Sequence, residues 1–307
     1  MHEWDRNIRQ AYRAAFDPKT RTIIRKVMGL VLPFTKPPMP DDMRGRVFDM
    51  SKMRLVKLDG FNLYVMPDDY IGHSIIVNRS YEPHVTELIS TLLKPGDVFM
   101  DVGANVGYFT FLAASLVGKA GKVIAFEPNP QNLHLIYSTA LDLPPGFNIE
   151  IYPFAVSDAA GILKFTTVGS NGGVVTHGIV GSDIGKEPHY DILVQSVVMD
   201  KVLNDESRID LIKIDVEAHE PAATRGMETL LRKHKPKMIT EFHPYALKFN
   251  NKEPPIAYLH QLYALGYRLS IIETSGNILN VNGADEIMSY WKALNSETIH
   301  LDLYAQS

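Results

Sequence analysis

Apolar and polar residues alternate along the chain in a pattern that predicts short strands separated by amphipathic helices. Mostly apolar runs predict strands at 98–102, 123–126, 149–156, 211–216, 238–241 and 267–272. Apolar residues at helical spacing predict helices that end near 117, cover roughly 131–142, end near 232 and cover about 255–265. Such alternation implies right-handed crossovers and a parallel sheet. The pattern predicts one doubly wound α/β domain, with a last strand at 300–304 running antiparallel beside 267–272.

The segment at about 159–200 interrupts this alternation. Two apolar runs, 162–167 and 192–198, predict strands, and a glycine-rich turn at 169–173 and a polar loop separate them. We therefore expect an inserted β-hairpin with a mobile tip over the edge of the sheet.

The first 50 residues have a different pattern from the rest of the chain. Residues 5–31 predict an amphipathic helical arm, and the proline-rich segment 33–40 predicts a linker. We expect an N-terminal arm and linker at 1–50 and one domain at 51–307, which opens with a hairpin at 53–65 and a helix at 81–93. We favour packing of the arm on its own domain or on a second copy in a homo-oligomer. Peripheral attachment to an anionic membrane surface is the alternative.

Composition narrows the function classes. The chain has 307 residues, of which 45% are hydrophobic and 21% are charged, as in ordinary soluble globular proteins. A net charge of −4 argues against a general nucleic-acid binder, and the absence of cysteine excludes disulfides and thiolate chemistry. Neither a signal-peptide core nor an apolar run long enough to span a membrane is visible, so we expect a cytoplasmic protein.

A glycine turn follows the strand at 98–102 and is the strongest candidate for a ligand site. Asp101 precedes the turn, which contains Gly103, Asn105 and Gly107, and a helix begins directly after it. Glu127 ends the next strand, where a carboxylate can accept hydrogen bonds from both hydroxyls of a ribose. These acids suit a ligand with a ribose and an ammonium group but no phosphate, as in S-adenosylmethionine. In the structural alternative, Asp101 caps the turn and Glu127 is a solvated strand end.

Two other functions compete with this interpretation. A nicotinamide-dependent oxidoreductase is disfavoured, since Asn105 replaces the middle glycine of the G-x-G-x-x-G fingerprint and the chain has no Tyr-x-x-x-Lys pair. A non-catalytic adenosine-binding or scaffold protein, which dimerises through the N-terminal helix, is the alternative from another class.

Several motifs together resemble the FkbM family of class I methyltransferases. They are residues 96–110, 126–128, 155–158 and 212–217 followed by Glu220 and Pro221, and the resemblance covers roughly 78–275. It implies a Rossmann-like S-adenosylmethionine domain and O-methylation of a hydroxyl on a sugar, glycan or natural product. The expected partner is thus a small-molecule or glycan acceptor.

The resemblance also implies roles for individual residues. The methionine end of the cofactor would be held by Asp101, Gly103, Asn105 and Gly107. Glu127 would hold the ribose, and the segment with Ala155, Val156 and Asp158 would flank the adenine. The chain departs from the family at Ala218 and His219, because similar sequences usually have a glycine after the Asp-Val-Glu run.

Candidates for the chemistry follow two of the predicted strands. A sugar hydroxyl has a high pKa, so a general base or a metal should assist its deprotonation. The catalytic candidates are Asp215, Glu241, His243 and His219. A divalent cation, if one is used, would be bound by Asp215, Glu241 and His243. In the structural alternatives, Asp215 caps the next helix and His243 is an ordinary surface histidine.

Overall fold

The computed structural model describes residues 50–168, 171–174, 190–250, 253–296 and 299–307. The predicted helical arm and linker lie outside the described residues, as do residues 169–170 and 175–189 of the predicted mobile tip. Residues 171–173, predicted as part of a glycine-rich turn, form a strand instead.

The described strands, in chain order, are β1 (Arg54–Lys57), β2 (Asn62–Val65), β3 (Val98–Val102), β4 (Lys122–Phe126), β5 (Ile149–Tyr152), β6 (Ala155–Val156), β7 (Gly161–Val168), β8 (Asn171–Val174), β9 (Tyr190–Val197), β10 (Leu211–Ile214), β11 (Lys237–Phe242), β12 (Arg268–Ile272), β13 (Ile278–Asn280) and β14 (Leu301–Gln306).

The described helices are α1 (Tyr70–Asn78), α2 (Pro83–Leu92), α3 (Tyr108–Val117), α4 (Pro130–Leu141), α5 (Met199–Val202), α6 (Glu220–Arg225), α7 (Glu228–His234), α8 (Pro244–Asn250), α9 (Pro255–Ala264) and α10 (Ala284–Ala293), after a 3-10 helix at Met50–Lys52.

A central sheet of eight strands has the order β13-β12-β14-β11-β10-β3-β4-β5. Strands β5, β4, β3, β10 and β11 pair in parallel, whereas β14 is antiparallel to both β11 and β12. The predicted fold class, a mostly parallel doubly wound α/β sheet with an antiparallel last strand, is confirmed. The predicted hairpin near the start of the domain is confirmed as well, since β1 and β2 pair antiparallel.

Both faces of the central sheet are buried. On β3, Met100 packs into the apolar core on one face, and Phe99 packs into the core on the other. Successive side chains of a strand point to opposite faces, so Asp101 shares the Phe99 face. Burial on both faces explains why the strands are mostly apolar runs in the sequence.

Two predicted elements differ in the structure, and a third has an additional neighbour. The predicted strand 149–156 divides at Pro153, which has no N–H group to continue a ladder, so β5 joins the central sheet and β6 joins another. The helix predicted to end near 232 breaks at Gly226, where a side chain would meet the Ser157 carbonyl at 2.0 Å. The last strand lies between β11 and β12, not only beside β12.

The insertion forms a second sheet with the order β6-β9-β7-β8. Strands β7 and β9 pair antiparallel from Gly161 opposite Ser196 to Thr167 opposite Tyr190, which confirms the predicted pair of strands. Strand β8 extends this sheet and was not predicted, and neither were α1, α8 and α10. Among the described residues, none of the helices is both long and apolar enough to cross a membrane.

Candidate active site

The glycine turn lies where the strand order of the central sheet reverses. From β3 the chain continues to β4 and β5 on one side, and β10 and β11 lie on the other. Ligands of open α/β sheets bind outside the carboxyl ends of the strands at such a switch point. Gly103 has a φ of +86°, and a Cβ atom there would lie 1.9 Å from the Asp215 carbonyl oxygen. The glycine turn and the loop after β10 are therefore in direct contact.

Glu127 is buried beside this turn and is not a solvated strand end. Its Oε2 accepts a hydrogen bond from the Asn105 backbone N–H at 2.7 Å, and its Oε1 accepts one from the Asn129 N–H at 2.7 Å. Burial raises the pKa of Glu127 to about 8, although these two N–H groups act in the opposite direction. Asn105 itself has a φ of +52°, a conformation that asparagine tolerates better than most residues. The carboxylate therefore holds the turn to the end of β4.

Asp101 is buried against the first turn of α3. Its Oδ2 accepts a hydrogen bond from the Thr110 hydroxyl at 2.6 Å, and the side chain is 1% exposed. Burial raises the pKa of Asp101 to about 6, while the Lys213 ammonium lowers it. The structure thus places the Asp101 carboxyl group against α3, and its role at the methionine end of a cofactor stays a prediction.

Lys213 is a functional candidate that the sequence analysis missed. It lies beside Asp101 in the parallel register of β3 and β10, and its Nζ is 2.6 Å from Oδ2 of Asp215. The same Nζ lies 4.7 Å from the centre of the Phe109 ring. Burial lowers the pKa of Lys213, but the carboxylates of Asp215, Glu82 and Asp101 outweigh it and raise the net value. The sequence did contain a signal for this residue, because a lysine within an otherwise apolar strand is unusual and indicates a functional or paired charge.

Asp215 is an ionised carboxylate between Lys213 and Glu241. Burial raises the pKa of Asp215, but the Lys213 ammonium and a hydrogen bond with Glu241 outweigh it, so the net pKa lies below the ordinary value. Burial and the Asp215 charge raise the pKa of Glu241 well above its usual range, and a hydrogen bond between the Glu241 and Asp215 carboxyl groups acts in the same direction. Oε1 of Glu241 also lies 3.0 Å from Nδ1 of His300.

Asp302 extends this group of acids along the sheet. It lies directly opposite Glu241 in the antiparallel register of β11 and β14, so both side chains are on one face. Nε2 of His84, at the start of α2, is 2.7 Å from Oδ2 of Asp302. These two residues are 218 positions apart in the chain, and their pairing had no local signal in the sequence.

His243 begins α8 and makes a local contact. Its Nδ1 accepts a hydrogen bond from the Ala246 backbone N–H at 3.4 Å, and its ring centre lies 6.4 Å from that of His300. Within the described ranges, no three His, Asp or Glu side chains are grouped so that they could hold a metal ion. The cation set expected from Asp215, Glu241 and His243 is therefore not brought together, because His243 turns toward its own helix.

His219, a predicted catalytic residue, lies against the segment 155–158 that is predicted to flank an adenine. Its Nε2 is 3.0 Å from the Ser157 hydroxyl, and burial lowers the pKa of His219 to about 4. Asp158 is exposed and paired with Arg225 at 2.8 Å, whereas Ala155 and Val156 are buried in β6. The structure therefore places His219 near Ser157, and the charges that act on it include Asp158 and Arg225 but not Asp215.

The loop between Asp215 and His219 has an unusual backbone. Glu217 and Ala218 have φ values of +53° and +71°, in the left-handed region that favours glycine. This conformation explains why a glycine is usual after the Asp-Val-Glu run. Oε1 of Glu220, the first residue of α6, accepts hydrogen bonds from the Val216 and Ala218 N–H groups at 3.0 and 3.2 Å and stabilises the loop.

Comparison with known proteins identifies relatives that share part of this chain. The family model described as a methyltransferase FkbM domain matches residues 101–269. The chain is 28% identical over 188 residues to the 31-O-demethyl-FK506 methyltransferase FkbM of Streptomyces tacrolimicus, covering 52% of this chain and 68% of that protein. It is 30% identical over 155 residues to the hexuronic acid methyltransferase AglP of Haloferax volcanii, covering 49% of this chain and 58% of that protein. The match thus spans about two thirds of the first relative and less of the second.

Solved structures that match this chain include methyltransferases. One is methyltransferase FkbM from Methylobacillus flagellatus KT, with 14% identity and a TM-score of 0.41, covering 79% of this chain and 62% of that chain. Another is Aeropyrum pernix fibrillarin in complex with S-adenosyl-L-methionine, with 11% identity and a TM-score of 0.41. The match covers 88% of this chain and 86% of that chain.

Proposed function

Because the chain belongs to the FkbM methyltransferase family, we propose that it transfers a methyl group from S-adenosylmethionine to a hydroxyl oxygen of a sugar, glycan or natural product. The observation that carries the proposal is the contact between the glycine turn and the loop of Asp215, since it joins a cofactor site to an ionised, partly exposed carboxylate. The names of two relatives, a demethyl-FK506 methyltransferase and a hexuronic acid methyltransferase, support a natural-product or sugar acceptor.

The residues around the glycine turn fit S-adenosylmethionine. The Glu127 carboxylate accepts the Asn105 and Asn129 backbone N–H groups at 2.7 Å and a hydrogen bond from the Asn132 side chain, so one of its four lone-pair sites remains for a ribose hydroxyl. Gly103 and Gly107, with φ values of +86° and +87°, give the turn a shape in which the backbone can approach a ligand closely. When bound, S-adenosylmethionine supplies an electrophilic methyl group on a sulfonium. We propose Ala155, Val156 and Asp158 for its adenine and Asp101 and Asn105 for its methionine end.

Asp215 is suited to orient the acceptor hydroxyl. Its side chain is 28% exposed, and one oxygen is held by the Lys213 ammonium at 2.6 Å. Because its pKa is lowered, Asp215 stays ionised near neutral pH and accepts a hydrogen bond better than it removes a proton. In-line alignment of the hydroxyl with the methyl group accounts for much of the rate in such a displacement. We therefore propose that Asp215 positions the acceptor and that Glu241 and Lys213 hold Asp215.

The proposed acceptor pocket lies in the domain at 51–307. We propose that the segment 60–84 contributes to its wall, because α1 and the start of α2 lie in this part of the chain. His84 joins α2 to β14 at the same edge as Glu241. The insertion at 159–200 is proposed to contribute another wall.

A labelled methyl donor tests the function directly. The protein is incubated with S-adenosylmethionine carrying a deuterated methyl group and a panel of glycosides, uronic acids and hydroxylated macrocycles. We expect S-adenosylhomocysteine and a product with the label on oxygen, located by NMR. A label found on nitrogen or carbon would contradict O-methylation, and tight binding of S-adenosylhomocysteine with no transfer to any acceptor would favour the non-catalytic scaffold interpretation.

A further inference from the structure

The start of α2 lies over the row of charged residues at the carboxyl edge of the sheet. On one side, the Tyr81 ring lies 6.2 Å from the ring of Phe109, which also contacts Lys213. On the other side, His84 bonds to Asp302 at 2.7 Å. Glu82 lies between these two anchored residues in the chain, and its carboxyl group interacts electrostatically with Lys213, Asp302 and Asp215.

Glu82 is held in this position in an unusual state. It has a φ of +39°, in the left-handed region that glutamate rarely adopts, and it directly precedes α2. Within the part of the chain that the structure describes, its buried Oε2 has no hydrogen-bond partner. Oxygens of the neighbouring acids Asp215, Glu241 and Asp302, by contrast, have protein partners. Strained backbone and an unpartnered buried carboxylate oxygen are typical of functional sites.

We propose that Glu82 is the general base that takes the proton from the acceptor hydroxyl. The proposal rests on the proposed function and adds a residue outside the range 101–269 that the family model matches. The proton moves from the acceptor oxygen to Oε2 of Glu82, and the O–H bonding pair stays on the oxygen. That oxygen forms the new bond to the methyl carbon as the carbon–sulfur bond breaks, and the pair of the broken bond stays on sulfur. The proton then leaves Glu82 to solvent.

The charges that face Glu82 suit this role near neutral pH. Burial raises its pKa to about 7, and the Lys213 ammonium and His84 act against this rise, whereas Asp302 and Asp215 add to it. The phenols of Tyr81 and Tyr70 also interact with Glu82. A base with a pKa near the working pH combines a useful ionised fraction with a useful proton affinity.

Substitution of Glu82 tests the assignment by kinetics. We expect Glu82→Gln to lower kcat by about 10²–10⁴-fold, the range of general-base catalysis. KM and the Kd of S-adenosylhomocysteine should change by less than about threefold, because the cofactor is held elsewhere. The rise of kcat through pH 7 in the wild type should disappear. Glu87→Gln is the matched control, because Glu87 is an exposed acid on the same helix, and it should leave kcat unchanged.

Chemical rescue separates a base from a structural residue. Glu82→Gly removes the carboxylate and relieves the left-handed backbone, so it should fold at least as well as the wild type. Added formate should restore part of its kcat and leave wild-type kcat unchanged. If Glu82→Gly or Glu82→Gln keeps at least a third of wild-type kcat, the assignment is wrong. Absence of rescue together with a normal pH profile in Glu82→Gln would also overturn it.

The pH dependence of stability gives a readout independent of activity. A carboxyl with a folded pKa of about 7 and an unfolded pKa of 4.5 destabilises the fold increasingly as pH rises between these values. The melting temperature of Glu82→Gln should therefore rise relative to the wild type from pH 4.5 to 7 and keep that difference above pH 7. If the difference in melting temperature between Glu82→Gln and the wild type were the same at every pH, Glu82 would not be a buried, unpartnered carboxylate. Inactivity of the wild type on every acceptor, with this stability signature present, would instead refute only the proposed function.

Discussion

Replacing Gly103 with alanine should disturb both the glycine turn and the loop of Asp215. The new Cβ atom would lie 1.9 Å from the Asp215 carbonyl oxygen and 3.1 Å from Cγ1 of Val216. Restoring a separation of about 3.0 Å, below which real Cβ contacts are essentially absent, requires a shift of 3.0 − 1.9 = 1.1 Å between the two backbones. Since both segments belong to the proposed site, this shift should change both cofactor binding and turnover.

The stability that Gly103→Ala should lose has two separable causes, the backbone conformation and the close contact. An alanine in the left-handed conformation costs about 1–2 kcal/mol, and overpacking a tight contact typically costs about 1–3 kcal/mol more. Gly96→Ala is a matched control, because Gly96 has a φ of +88° but nothing within 4 Å of the new Cβ atom. Gly103→Ala should therefore be less stable than Gly96→Ala by about 1–3 kcal/mol, or about 2–12 °C in Tm for a domain of this size.

Urea unfolding and calorimetric titration with S-adenosylhomocysteine measure these effects. Gly96→Ala should bind S-adenosylhomocysteine as tightly as the wild type, whereas Gly103→Ala should bind it more weakly. A displacement of about 1 Å near reacting groups can also cost about 10²-fold in kcat. Equal stabilities of the two variants, with unchanged cofactor affinity in both, would refute the close contact between the turn and Asp215.

Three further predictions concern the binding, catalysis and pH dependence of this site. Glu127→Ala should weaken S-adenosylhomocysteine binding by about 1.5–3 kcal/mol for each lost hydrogen bond to the carboxylate, and unchanged calorimetric affinity would mean that Glu127 does not touch the ribose. Asp215→Asn should lower kcat with little change in cofactor affinity, and melting curves should accompany the kinetics, because Lys213 loses its charged partner at 2.6 Å. Full turnover in this variant would remove Asp215 from the chemistry. His219 has a pKa of about 4 in the folded protein and 6.5 in the unfolded chain. It therefore adds up to about 3 kcal/mol to the free energy of unfolding above pH 6.5, and this stabilisation is lost as the pH falls through 4. His219→Asn should show less acid destabilisation than the wild type in urea titrations, and identical pH profiles would contradict this.

The local elements of the fold were largely predictable from the sequence. Strands buried on both faces appear as apolar runs, and the turn at Gly103 and Gly107 requires the left-handed backbone that glycine adopts most easily. The errors occurred where a single residue ends an element, as at Pro153, or where another segment approaches closely, as Ser157 approaches Gly226. Such contacts depend on residues distant in the chain.

The charged part of the site was only partly predictable. Asp215 and Glu241 follow apolar strands, and the parallel sheet brings strand ends together, so their proximity could be inferred. Lys213 had a readable signal, since it shares a strand face with Asp215 two residues later. His243 was placed with these acids because sequence spacing cannot show that its side chain turns toward the N–H of Ala246.

The sequence by itself determined the alternation of strands and helices from β3 to β12, the glycine turn and the acid that follows β4, because hydrophobic period and backbone freedom are local properties. Only the tertiary structure decided that β14 lies between β11 and β12. In that position, Asp302 lies opposite Glu241 and pairs with His84. The pairing holds the start of α2, and with it Glu82, beside these acids. Non-local pairing is selected by the burial of both sheet faces, a property of the whole domain that no short window of sequence contains.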